Sequence, residues 1–115
     1  MKLQELLNKL ESEPEHVSFS DCIEVIDANY EFTPTAFSNG DTENAEGQNN
    51  GSCKIFAFGK KNNLSKEQTL ACFGTYYRND VLKNPEAEDH QNIRNFIKYG
   101  WEGVRFKAEA LRQKY

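Results

Sequence analysis

Long apolar runs are missing from this sequence of 115 residues. No stretch approaches the ~18 apolar residues of a membrane span, and Met1-Lys2-Leu3-Gln4-Glu5 lacks the apolar run of a secretory leader. Cysteine is scarce and odd in number: Cys22, Cys53 and Cys72 contain no Cys-x-x-Cys pair, so neither a zinc framework nor a full disulfide set is expected. Reduced thiols in a cytosol are the simplest account. The two histidines, His16 and His90, and the scattered acids form no transition-metal spacing. Asp41, Glu43 and Glu46 lack the glycine and closing glutamate of an EF-hand. Neither a metal nor another cofactor is expected. Hydrophobic residues are also few, at 37%, yet eight Phe, five Tyr and one Trp recur at regular spacings, which disordered chains do not show. The expectation is one folded domain, residues 1–115, with a single core.

The net charge of −4 is unevenly spread. Residues 1–47 carry eleven acids against two lysines, and residues 48–115 carry twelve bases against seven acids. This split reads as complementarity across the fold. No Lys/Arg cluster is interleaved with aromatics, so neither nucleic acid nor a membrane is an expected partner, and the oligomeric state is not legible.

Along the chain, Leu3, Leu6, Leu7 and Leu10 form one helical stripe that should end before Pro14. Ser18 is placed to cap a second helix with Asp21 three residues on and a face of Phe19, Ile23, Ile26 and Tyr30, beside Cys22. Glu31 to Phe37 is aromatic and β-branched around Pro34, which suits an edge strand or extended segment; Asn39-Gly40 then turns the chain, and Val104 and Phe106 offer a short partner strand. The polar loop from Asp41 to Gly51 leads to Ser52, a candidate cap for a third helix ending near Gly59, although residues 53–58 also suit a buried strand. Ser65 and Gln68 form a capping box for a helix whose face runs through Leu70, Phe73, Tyr76 or Tyr77, and Val81. Asp89 is expected to cap the last helix, with Ile93, Phe96 and Ile97 on its face and Gly100 as its stop. The fold class is mostly α: a bundle of about five helices with at most a small two-stranded β element.

Four segments carry a resemblance. They are Tyr30-x-Phe32-Thr33-Pro34-Thr35-x-Phe37-x-Asn39-Gly40, Asn44-x-x-Gly47-x-Asn49-x-Gly51-Ser52-Cys53-Lys54, Phe73-Gly74-x-Tyr76-Tyr77-Arg78, and Asp89-His90-x-Asn92-Ile93-Arg94-x-Phe96-x-x-x-Gly100-Trp101. In order, they resemble the HopJ type III effector family of gamma-proteobacteria. The resemblance implies a bacterial protein but brings no biochemical activity with it. The family name implies type III export into a host. The leucine-faced amino terminus differs from a flexible Ser/Asn-rich export signal, which keeps the bacterial cytoplasm as the expected compartment.

Two kinds of site can be read from the residues. In the first, a protein partner or small ligand binds near Asn39, Asn44, Asn49, Ser52, Tyr77, Arg78, Arg94 and Trp101, with Tyr76 among the aromatics suited to an interface. The start of the third helix is also a candidate backbone anion site, although its glycines lack the Gly-Lys-Ser/Thr order of a P-loop. In the second, a thiol-dependent hydrolase or transferase uses Cys53 as nucleophile at a helix start and His90 as base, with Asp89 or Asn92 orienting the ring. That chemistry requires an accessible thiolate next to His90.

Overall fold

The computed structural model describes residues 1–114. Helix α1 (Leu3–Ser12) forms on the leucine stripe and stops two residues before Pro14, which opens a single 3-10 turn, Pro14–His16. Leu6 and Leu10 are buried, with Leu3 and Leu7 packed beside them. Ser18 caps α2 (Phe19–Asn29) by accepting the Asp21 amide at 3.1 Å. Of the expected face Phe19, Ile23, Ile26 and Tyr30, Ile26 and Tyr30 are buried, and Cys22 and Val25 complete the core-facing side. The helix is turned so that Cys22 enters the core, while Phe19 and Ile23 remain half-buried.

Five strands of three residues each replace the single two-stranded element. These are β1 (Tyr30–Phe32), β2 (Phe37–Asn39), β3 (Thr42–Asn44), β4 (Val104–Phe106) and β5 (Leu111–Gln113). They form an antiparallel β1-β5 pair and an antiparallel sheet in the order β3-β2-β4. The Val104/Phe106 segment is a partner as expected, with Phe37 opposite Phe106 and Asn39 opposite Val104. Pro34 lies in the link between β1 and β2, where its missing N–H costs no ladder bond. The architecture is therefore mixed, with α-helices set against two small sheets rather than a purely helical bundle.

Helix α3 (Asn50–Lys61) starts earlier than Ser52 predicts and passes through Gly59. Gly59 serves packing rather than termination: a Cβ there would lie 2.9 Å from both the Trp101 ring and the Thr69 hydroxyl. Helix α4 (Lys66–Ala71) has the expected capping box: Ser65 Oγ accepts the Gln68 amide, and Gln68 Oε1 accepts the Ser65 amide. It ends after six residues instead of continuing to Val81. The chain turns at Gly74, with φ +60°, before a π-helical turn, Tyr76–Val81. Helix α5 (Gln91–Tyr99) stops at Gly100, φ +66°, and a 3-10 turn, Gly100–Gly103, passes the chain to β4. The five α-helices match the expected number among the described residues.

The fully buried Phe56 is the hub of the core. Its ring centroid lies 4.9 Å from Phe96, 5.5 Å from Phe73, 6.1 Å from Phe37 and 6.4 Å from Trp101. Residues from α3, α5, β2 and the turn after α4 thus converge on one side chain, which fixes where the starts of α3 and α5 lie.

Gly74 tests the broken helix. A Cβ at this left-handed position would sit 2.7 Å from the Phe19 backbone nitrogen. Gly74→Ala should destabilise the protein by about 3 kcal/mol, combining backbone strain with overpacking. Gly47→Ala, at φ +86° with no neighbour within 4 Å, should lose only about 1 kcal/mol. Urea unfolding midpoints of the two variants measure the difference.

Candidate functional site

Asparagine side chains hold the starts of α3 and α5 together. Asn39, Asn44 and Asn92 are all buried. Asn39 Nδ2 donates to the Asn92 carbonyl at 2.7 Å and to Asn92 Oδ1 at 3.1 Å. Asn44 Nδ2 donates to the same Oδ1 at 3.1 Å, and Asn92 Nδ2 donates back to Asn44 Oδ1 at 2.9 Å. Asn49 Nδ2 also donates to Asn44 Oδ1, at 2.7 Å. Strands β2 and β3, the residue before α3 and the first turn of α5 are thereby tied to one another. Asn39 Oδ1 is the one buried side-chain acceptor left without a partner among the described residues.

A cavity of about 400 Å³ opens beside this network. The first turns of α3 and α5 supply one wall through Asn49, Gly51, Ser52, His90, Gln91 and Asn92. Phe19, Phe73 and Tyr76, with Thr42 and Ile93, supply the rest. The residues preceding the two helices, Asn49 and His90, both have left-handed backbone, φ +55° and +51°, and neither side chain caps its helix. First-turn amides have no intrahelical acceptor, so both helix starts present donors. His90 Nε2 lies 3.1 Å from Asp80 Oδ2 and 3.8 Å from Asp89 Oδ2, and its ring packs 5.3 Å from that of Tyr76.

Five of the residues expected from the sequence line this cavity: Asn49, Ser52, Tyr76, His90 and Asn92. His90 is the residue preceding α5, rather than its first residue behind an Asp89 cap. Asn39 and Asn44 support the wall from beneath through the amide network.

The remaining expected residues are braces. Arg78 donates to the carbonyls of Val17 at 2.7 Å and Pro14 at 3.4 Å, pinning the turn before α2. Arg94 donates to the carbonyls of Asn84 and Asp89 and to the Asp89 carboxylate, folding the loop ahead of α5 around its guanidinium. That pairing holds the Asp89 carboxyl below its usual range. Trp101 Nε1 donates to the Leu64 carbonyl at 3.0 Å, and its ring packs on Phe56 and Phe96. Tyr77 is half-buried against the core.

Cys53 does not meet the requirements of a nucleophile. It is the fourth residue of α3, beyond the amides that favour a thiolate, and it is buried. Its thiol donates to the Thr35 carbonyl at 3.7 Å, and burial pushes its pKa up. It is absent from the wall that carries His90. The expected Cys53/His90 pair therefore has no activated thiol: Ser52 and Cys53 are the third and fourth residues of α3, inside the helix rather than at its cap. Cys72 is held even further from ionisation by the Cys22 thiol beside it and by burial.

Several lining residues were not singled out from the sequence. Phe19 and Phe73 sit in stripes that look like ordinary core; Asp80, which partners His90 without lining the cavity, lies in a segment that reads as regular helix. Tyr76, by contrast, is an interface aromatic by its sequence context and is half-exposed in the cavity wall. No local pattern marks them, because the break at Gly74 is what turns residues 73–80 toward His90.

The family model described as HopJ type III effector protein matches residues 3–111. Among solved structures, one described as the crystal structure of unknown function protein VPA0580 is similar at a TM-score of 0.98 and 58% identity, covering 99% of this chain and 95% of that one. No curated protein matches the chain.

Both features of the site yield measurable consequences. Asn44→Ala removes the acceptor shared by Asn49 and Asn92 and should destabilise the protein by about 2 kcal/mol, read by urea unfolding. The raised thiol pKa values of Cys53 and Cys72 mean that the unfolded state loses these protons first. Stability is therefore unaffected below the unfolded thiol pKa of about 8.5 and falls as pH rises above it. At pH 8, iodoacetamide should modify both cysteines about 100-fold more slowly in the native protein than in urea, as mass spectrometry would show.

Proposed function

Starting from the premise that this chain belongs to the HopJ type III effector protein family, which names no reaction, we propose that it binds a small organic ligand in the cavity between the first turns of α3 and α5. The observation that carries the reading is the cavity wall itself: two helix starts without side-chain caps face a space bordered by three aromatic rings. Its volume, about 400 Å³, falls within the ~300–1,000 Å³ common for small-molecule sites. An apolar body with a few fixed polar contacts is what such a lining accommodates. The asparagine network supports this reading because it holds the two helix starts in place before any ligand arrives, reducing the ordering that binding would otherwise require.

The competing reading as a thiol enzyme loses its support with Cys53, and a surface-interaction reading through Arg78, Arg94 and Trp101 loses its free donors to backbone carbonyls.

The test is a fragment screen by two-dimensional amide NMR on the full chain. At least one fragment should shift Gly51, Ser52, Gln91 and Asn92 together. Ser52→Phe, which fills the cavity mouth, should weaken that fragment by about tenfold or more while the protein remains folded by its own spectrum. A library that shifts none of these amides, or hits indifferent to Ser52→Phe, would overturn the proposal.

A further inference from the structure

Resting on the reading that this cavity binds a small ligand, we infer that the ligand is an uncharged hydroxyarene, a phenol in its simplest form, with its ring among Phe19, Phe73 and Tyr76 and its hydroxyl hydrogen-bonded to His90.

The ring end comes from the aromatic wall. Phe19 and Tyr76 meet edge to face, with centroids 5.2 Å apart at 77°, and Tyr76 lies 5.3 Å from the His90 ring. Phe73 lines the same space. Rings set at an angle to one another present both edges and faces, which suits a flat aromatic guest.

Charge limits what that guest can carry. None of the residues lining the cavity is lysine, arginine, aspartate or glutamate. The charged groups around His90 are paired: Asp80 with His90 itself at 3.1 Å, and Asp89 with Arg94 at 2.7 Å. Asp89 also lies 3.8 Å from the His90 ring. An anionic ligand would meet two carboxylates at His90 with no lysine or arginine in the wall to offset them, and an ammonium would enter a wall that holds no carboxylate. Burying either charge unpaired is costly, so the wall suits an uncharged ligand.

Hydrogen bonding then selects the polar group. A carboxylate only accepts, so His90 Nε2 donates to Asp80 and the lone pair of the ring falls on Nδ1. The side-chain amides of the wall also direct a donor into the protein: Asn49 Nδ2 and Asn92 Nδ2 to Asn44 Oδ1, and Gln91 Nε2 to the Glu88 carbonyl. Asn92 Oδ1 in turn accepts from Asn39 and Asn44. What the wall lacks is a donor for the acceptors that remain, His90 Nδ1 first among them, which takes no hydrogen bond among the described residues. A ligand O–H supplies that donor, and its oxygen can accept from the Ser52 hydroxyl in the same wall. An ether or a carboxylate has no proton to give.

The experiment titrates phenol, anisole, benzoate and benzylammonium into the full chain at about pH 7.5, where a phenolic hydroxyl with a pKa of about 10 is uncharged. Binding is followed at the Gly51, Ser52, Gln91 and Asn92 amides. Phenol should bind about tenfold tighter than benzoate or benzylammonium, and about fivefold tighter than anisole, which keeps the ring and the oxygen but lacks the donor. His90→Gly, which accepts the left-handed backbone at φ +51°, should bring the phenol-to-anisole ratio to about one. The ligand series on the unaltered chain decides the class whether or not that variant folds. Benzoate or benzylammonium binding as tightly as phenol, anisole matching phenol, or a ratio that survives His90→Gly overturns the hydroxyarene. If unrelated fragments occupy the cavity and phenol does not, the ligand-binding reading stands without it; if nothing occupies the cavity, both fall.

Discussion

The amide network of Asn39, Asn44 and Asn92 is the constraint on which the rest of the site depends. Buried amides without partners lose about 1–3 kcal/mol each, so these side chains hold only when β2, β3 and the start of α5 adopt one arrangement. The unpaired Asn39 Oδ1 offsets part of that gain. The network therefore contributes specificity of arrangement more than net stability, since any slip of the β2-β3 register strands several polar groups at once. Asn49 extends it to the residue before α3, which is how a polar loop with little apolar content places a helix start.

Stability comes from the aromatic centre around Phe56. The two systems are joined at α5, which sends Phe96 into the core and Asn92 into the amide network from successive turns. A helix held at both points cannot rotate without loss in one or the other. His90, immediately before that helix, inherits a fixed position beside Asp80 and Tyr76.

The residues with the richest binding chemistry are consumed by the fold. Arg78, Arg94 and Trp101 satisfy carbonyls at the turn before α2, the loop before α5 and the end of the loop after α3. Irregular backbone leaves unpaired acceptors, and multivalent donors are an economical way to satisfy them. The residues that line the cavity accordingly include no lysine, arginine, aspartate or glutamate.

Local signals determined much of the chain. The leucine stripe of α1, the Ser18 cap, the Ser65/Gln68 capping box and the Gly100 stop rest on contacts within a few residues, and each appears where the spacing places it. Only the tertiary structure decided the rest. Three-residue strands are too short for an alternating pattern, and their pairings, such as Phe37 with Phe106, join residues far apart in sequence. Whether Gly59 ends a helix or admits Trp101, and whether Gly74 continues a helix or turns under α2, depends on what packs against each glycine. Cys53 shows the same division: its neighbours in sequence suggest an activated thiol at a helix start, but helicity begins three residues earlier and the side chain points to Thr35. Spacing along the chain specifies which groups can cap or stack locally, while accessibility and distant partners exist only once the elements have packed.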